Sequence, residues 1–184
     1  RCRCWRAYRR QNDGLLGSTI RLAVLRGQTA RLNADQSAYL ARRYARPEPR
    51  WAFASEVAGL GLITACVDIS DGLVADVGHI CEASHVEAVI RAEDVPVSDA
   101  ARTVLADTPM PHVAMLCGGD DYELAFTAPQ SARYELERIA AAHDLAISTI
   151  GSIQQQPLQG SGRVCILDAN GSVLKLPNGG YQHL

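Results

Sequence analysis

The run "LITACVDISDGLVADVGHI", residues 62–80, constrains the fold more tightly than any other part of the chain. Its first six residues, "LITACV", are a continuous apolar run of strand length. They predict a β-strand covered on both faces. Beyond Asp71, the residues Leu73, Val77, Ile80 and Cys81 recur at helical spacing and predict an amphipathic helix over 72–84. Two carboxylates, Asp68 and Asp71, stand at the junction with Ser70 between them. Like charges so close repel each other, so either a cation or water must hold them together.

The rest of the chain supplies partners for that unit. Helices are predicted over 18–26, behind Ser18, and over 33–46, where Asn33 and Gln36 have capping-box spacing and Pro47 stops the pattern. Others are predicted over roughly 50–60, over 98–107 with Ser98 as cap, and over 131–144 with Leu136, Ile139, Ala140 and His143 inward. Strands are expected at 86–91, at 122–128 with Tyr122, Leu124 and Phe126 on one face, and at 145–150. The segment "RVCILDANGSVLKL" predicts a hairpin turning at Asn170-Gly171, and 154–162 a polar loop. Strands and helices mix without strict βα alternation. The expected class is therefore α+β, a mixed β-sheet with flanking helices.

Charge and cysteine usage narrow the function classes. The chain has 184 residues and a formal net charge of −2, which gives no sign of nucleic-acid binding. The opening "RCRCWRAYRR" is rich in arginine and free of acids, so the remainder is the more acidic. Those residues suggest an unstructured lead-in or, less simply, a basic arm with Trp5 and Tyr8 as stacking groups. Six cysteines form no CxxC pair. Cys66, Cys81 and Cys165 fall in apolar patterns and are expected as reduced, buried thiols of a cytoplasmic protein. No segment approaches the roughly 18 apolar residues of a membrane span.

Three stretches carry candidate chemistry. At "VDISDGL", Ser70 is placed to cap the following helix, with the N–H groups of Asp71 and Gly72 turned outward, an arrangement that attracts phosphate. Two carboxylates beside it would repel a bare phosphate, but Mg2+ between them removes the conflict, because Mg2+ takes one or two carboxylates plus substrate phosphates. Ordinary capping by acids explains the same residues without a ligand. No P-loop string occurs. In "CGGDDYELAF", Gly118 and Gly119 allow a tight turn before Asp120, Asp121 and Glu123, which suit a cation or a cationic ring, or simply a solvated turn. In "NGGYQHL", two glycines would let Tyr181 stack on a heteroaromatic ring, or the segment is a frayed tail. A zinc site from His79, Cys81 and His85 is disfavoured, since His79 and Cys81 do not share a helix face.

Taken in order, "VDISDGLVADVGHICEAS", "GGDDYELAFTAP" and "GGYQHL" resemble the C-terminal part of thiamine-monophosphate kinase, in the superfamily of aminoimidazole-ribonucleotide synthetase and selenophosphate synthetase. "LAVLRG", "YLARRYARPEPR" and "IGSI" extend the resemblance over roughly 17–184. Residues 1–16 match nothing and are expected to be a disordered basic lead-in. The resemblance implies transfer of the γ-phosphoryl of ATP to thiamine monophosphate, giving thiamine diphosphate, with several Mg2+ ions and a homodimer in the full-length enzyme. It implies Asp68 and Asp71 as Mg2+ ligands, Ser70 as an ATP contact, and Asp120 and Tyr181 as substrate contacts. Asp120 stands where the motif carries Glu, one methylene longer, and Leu184 where the family ends in Phe. The family's N-terminal ATP-binding domain is not in this sequence, so the chain is expected to bind Mg-nucleotide weakly and to turn over poorly alone. The alternatives are a related ATP-dependent enzyme acting on another small acceptor and a non-catalytic binding module. No nucleic-acid or membrane partner is expected.

Overall fold

A computed structural model of the chain describes residues 2–9, 31–106, 115–155 and 164–176. Its centre is a six-stranded sheet. The strands are β1 (Cys2–Arg9), β2 (Ala65–Asp68), β3 (Glu87–Arg91), β4 (Leu124–Pro129), β5 (Leu145–Gln154) and β6 (Val164–Leu167). Their spatial order is β2-β4-β1-β5-β3-β6. Every pairing is antiparallel except β3 with β6, so the sheet is mixed, as expected.

The opening residues correct the sequence reading. Residues 2–9 are not a free basic arm or a disordered lead-in. They form β1, hydrogen-bonded to β4 on one side and to β5 on the other, with an irregularity between Cys4 and Trp5. Cys4 is 1% exposed, and burial pushes its thiol up to about 12, with the Cys81 thiol adding to the effect. The abundance of arginine hid a strand whose Cys4 belongs to the core.

Helices cover both faces of the sheet. They are α1 (Ala34–Ala45), α2 (Trp51–Gly59), α3 (Leu73–Ser84), α4 (Asp99–Leu105) and α5 (Arg133–Ala142). The alternation in β4 decides the layering. Ala125 packs with Leu73, Val77 and Cys81 of α3, whereas Leu124 and Phe126 pack with Phe53 and Val57 of α2 and Leu136 and Ile139 of α5. The Phe53 and Phe126 rings lie 5.9 Å apart and tilted, a contact worth about 0.5–1.5 kcal/mol beyond the area it buries. Leu40 of α1 and Ala100, Ala101 and Val104 of α4 form a third, smaller cluster. Asn33 and Gln36 make the expected capping box on α1, and Ser98 caps α4.

Three further expectations are adjusted. β2 lies at the edge of the sheet, and its alternating burial leaves Cys66 exposed rather than buried, while Cys81 and Cys165 are buried. β4 starts at Leu124, so Tyr122 precedes the strand, with a φ of 53° that no strand residue adopts. The hairpin at 164–176 has a short second arm, a bridge from Leu167 to Val173, around Gly171 at φ 80°. The helix expected at 18–26 lies outside the described residues, and among those described no helix is long and apolar enough to cross a membrane.

Candidate functional site

The two acidic motifs meet, backbone against backbone. Ile69 donates its N–H to the carbonyl of Glu123 at 2.8 Å, Tyr122 to that of Ile69 at 2.8 Å, and Asp120 to that of Ser70 at 2.8 Å. The glycines explain why the loops can come so close. A Cβ on Gly119 would lie 2.3 Å from the Ser70 carbonyl oxygen. One on Gly72, at φ +119°, would lie 2.9 Å from the Cys117 carbonyl carbon. The sequence treated "VDISDG" and "GGDDYEL" as separate sites; they are two halves of one knot.

Ser70 does not cap α3. Gly72 occupies that position, and no side chain bonds there from the cap itself. The N–H groups of Ser70, Asp71 and Gly72 turn inward and donate to Oδ2 of Asp76, at 2.9, 3.1 and 3.1 Å. Asp76 is 2% exposed. Burial pushes its carboxyl up; the three N–H donors pull the other way, and the nearby Asp71 charge adds to the rise. The expected outward anion cradle is therefore filled by the protein's own carboxylate. Its N–H is engaged by Asp76 and its carbonyl accepts from Asp120, so the hydroxyl is the donor that Ser70 has to offer a ligand.

Asp68 and Asp120 are exposed and Asp71 is half-buried. The charges of Asp120 and, more weakly, Asp68 push the Tyr122 hydroxyl upward, and Tyr122 reaches toward Asp120 Oδ1 at 3.3 Å. The two motifs thus make one acidic corner around Tyr122. Asp121 and Glu123, expected with Asp120 to meet a cation or solvent, are instead 6% and 0% exposed, and Glu123 is bonded to Arg43 and Arg50. Tyr181 lies outside the described residues.

Beside the corner opens a cleft of about 600 Å³. It is lined by Pro47, Pro49, Arg50 and Trp51 from the α1–α2 connection, by Cys66 and Asp68 of β2, and by Tyr122 and Leu124. Trp51 is 71% exposed. This volume and mostly apolar lining with two charged groups, Asp68 and Arg50, match ordinary small-molecule sites. The cleft was not legible from motif spacing; its only sequence trace is the proline-flanked "RPEPRW" between α1 and α2.

Among the described residues, no three His, Cys, Asp or Glu side chains are grouped closely enough to hold a metal by themselves. Carboxylate oxygens at Asp68 and Asp71 are nonetheless the hard donors that Mg2+ selects, and Mg2+ ordinarily completes its shell with water and substrate phosphates. The donor set fits a metal that arrives with a nucleotide.

The family description "AIR synthase related protein, C-terminal domain" matches residues 11–161. The chain belongs to this AIR synthase related family. Among its relatives, the thiamine-monophosphate kinase of Salmonella typhimurium is 37% identical over 134 residues, 73% of this chain and 38% of that one. The crystal structure of thiamine-monophosphate kinase from Stenotrophomonas maltophilia K279a superposes with a TM-score of 0.71 at 31% identity, over 94% of this chain and 51% of that one. AaThiL complexed with AMPPCP and TMP superposes with a TM-score of 0.69 at 24% identity, over 100% of this chain and 51% of that one, a likeness of fold. The resemblance read from the motifs therefore stands. This AIR synthase related chain spans 38% of its Salmonella relative and about half of the solved kinases.

Proposed function

We propose that the chain supplies one half of the active site of an ATP-dependent kinase that converts thiamine monophosphate to thiamine diphosphate. The observation that carries this reading is the interlocking of residues 69–72 with residues 118–123, which joins the segments bearing Asp68, Asp71 and Asp120 beside a cleft lined by Asp68 and Tyr122. The kinase relatives, and the nucleotide analogue and TMP held by AaThiL, support it.

Asp68 and Asp71 would hold Mg2+, which when bound neutralises phosphate charge on the nucleotide. The Ser70 hydroxyl contacts the nucleotide. Asp120 orients the acceptor, together with Tyr181. The cleft walls at Pro47, Trp51 and Tyr122 offer apolar and aromatic surface on which a heteroaromatic ring desolvates. Phosphoryl transfer depends on positioning from both sides of the transferred group, so a second half is required, and the working enzyme is a cytoplasmic homodimer containing it.

Product formation from thiamine monophosphate and Mg-ATP tests the reading. The chain alone should bind Mg-ATP weakly and yield little thiamine diphosphate. Joined to the N-terminal half of the Salmonella kinase it should turn over, and Asp68→Asn should lower that rate at least about 100-fold. Robust turnover by residues 1–184 alone overturns the half-site claim. Absence of product from the joined enzyme, with folding verified, overturns the function.

A further inference from the structure

Glu123 connects parts of the chain that are far apart in sequence. Arg50, just before α2, grips it with two bonds, Nε to Oε2 at 3.0 Å and Nη2 to Oε1 at 2.9 Å. Arg43, on α1, adds Nη2 to Oε1 at 2.5 Å. The three side chains are 6%, 5% and 1% exposed for Arg50, Arg43 and Glu123. Arg50 itself lines the cleft, as do its neighbours Pro49 and Trp51. Tyr122 and Leu124, on either side of Glu123, line it as well. The ion cluster therefore ties two separate segments of the cleft lining to each other.

It also holds a costly backbone. Asp120 and Tyr122 have φ of 67° and 53°, left-handed conformations that a non-glycine residue keeps only where the surroundings enforce them. One enforcing element is the set of three backbone bonds to Ile69 and Ser70. The other is the fixed side chain of Glu123, next in the chain to Tyr122. A guanidinium is a planar fork that fixes a carboxylate in orientation as well as position, which an ammonium does not. Nε and Nη1 of Arg43 have no hydrogen-bond partner among the described residues, so this buried cation relies on Glu123.

We propose that Arg43 and Arg50, acting through Glu123, are positioning residues that fix the width of the cleft and the left-handed backbone presenting Asp120 and Tyr122. They touch no reacting atom. They act by tying the α1–α2 connection to the loop before β4. The ligand-binding part of this inference rests on the function proposed above; the backbone part does not.

Amide hydrogen exchange on the full chain tests the backbone part without any ligand. Arg50→Lys and Arg43→Lys keep the charge and lose the fork. Each should speed exchange at Asp120 and Tyr122 at least about 10-fold while α3 and β3 exchange as in the wild type. Unchanged exchange at 120–122 in both variants overturns the proposal. So does an equal rise in α3 and β3, which would mean a general loss of stability. If neither lysine variant melts cooperatively, the same measurement is made on R43M/E123Q, in which Arg50 keeps Glu48 at 3.4 Å. Fast exchange confined to 118–123 supports the proposal, and wild-type exchange there overturns it.

Titration with thiamine monophosphate, followed by Trp51 emission in a Trp5→Phe background, tests the ligand part. Arg50→Lys should weaken binding about 10-fold or more, with a change in melting temperature too small to explain it. Equal affinity of wild type and Arg50→Lys overturns the cleft-width role. If the wild type does not quench at all, the substrate assignment fails while the exchange result still decides the latch.

Discussion

Asp76 and Glu123 are both carboxylates shut away from water beside the acidic corner, yet they are compensated in opposite ways. Asp76 takes three backbone N–H groups from residues four to six positions earlier in the chain, so its partners arrive with the local turn. Glu123 takes two guanidiniums from residues 73 and 80 positions away, so its partners arrive only when the domain has assembled. The first device shapes a junction; the second joins two segments of the cleft lining. A buried acid held by backbone dipoles needs no net countercharge, whereas a buried ion cluster is destabilising once one member is removed.

The largest expected effect breaks the second device. Glu123→Ala should destabilise the chain by about 3–5 kcal/mol in urea melts, because two guanidiniums lose their carboxylate. R43M/E123Q should lose much less, and an equal loss would show that packing rather than charge dominates. Asp76→Ala comes next, at about 2–3 kcal/mol, because it strands N–H groups of Ser70, Asp71 and Gly72. A loss as large as that of Glu123→Ala would erase the distinction.

Acidity separates the two devices further. The Asp76 carboxyl is raised in the folded state above its ordinary 3.8, so the folded chain holds the proton more tightly than the unfolded one. The stabilisation from that protonated group is complete below the unfolded value and is lost as pH rises through the folded one. The stability advantage of wild type over Asp76→Asn should therefore shrink as pH rises through that window. An advantage that grows with pH would mean that the three donors outweigh burial. The smallest effect is a near-absence: 1 M salt should alter the penalty of Glu123→Ala by less than about 0.5 kcal/mol, since screening acts on exposed charges.

Much of the fold was legible because its signals are local. The capping box at Asn33, the helical spacing of Leu73 to Cys81, the Ser98 cap and the Asn170-Gly171 turn all appear where the residues place them. β1 was not, because its arginines resemble a solvated arm and strand pairing with β4 and β5 is decided more than 100 residues later. At the site, the motifs single out Asp68, Asp71 and Asp120, whose ligand roles stand as proposals, while Ser70 is not the expected helix cap and Glu123 is buried. The role of Asp76 is hidden in the first turn of a helix, where an acid is ordinary dipole chemistry. Arg43 and Arg50 fall within the matching stretch "YLARRYARPEPR", but their pairing with Glu123 was not legible, since an ion pair across that separation has no periodicity.

The placement of β1 has a consequence for how the molecule is made. Its hydrogen-bond partners are β4 and β5, which end at Pro129 and Gln154. A strand inside the sheet thus waits for partners synthesised more than 100 residues later. Such high contact order slows closure, and a nascent chain emerging at about 5–20 residues per second would carry an unpaired strand for several seconds. The cost of this topology falls on the time taken to close the sheet rather than on the finished domain.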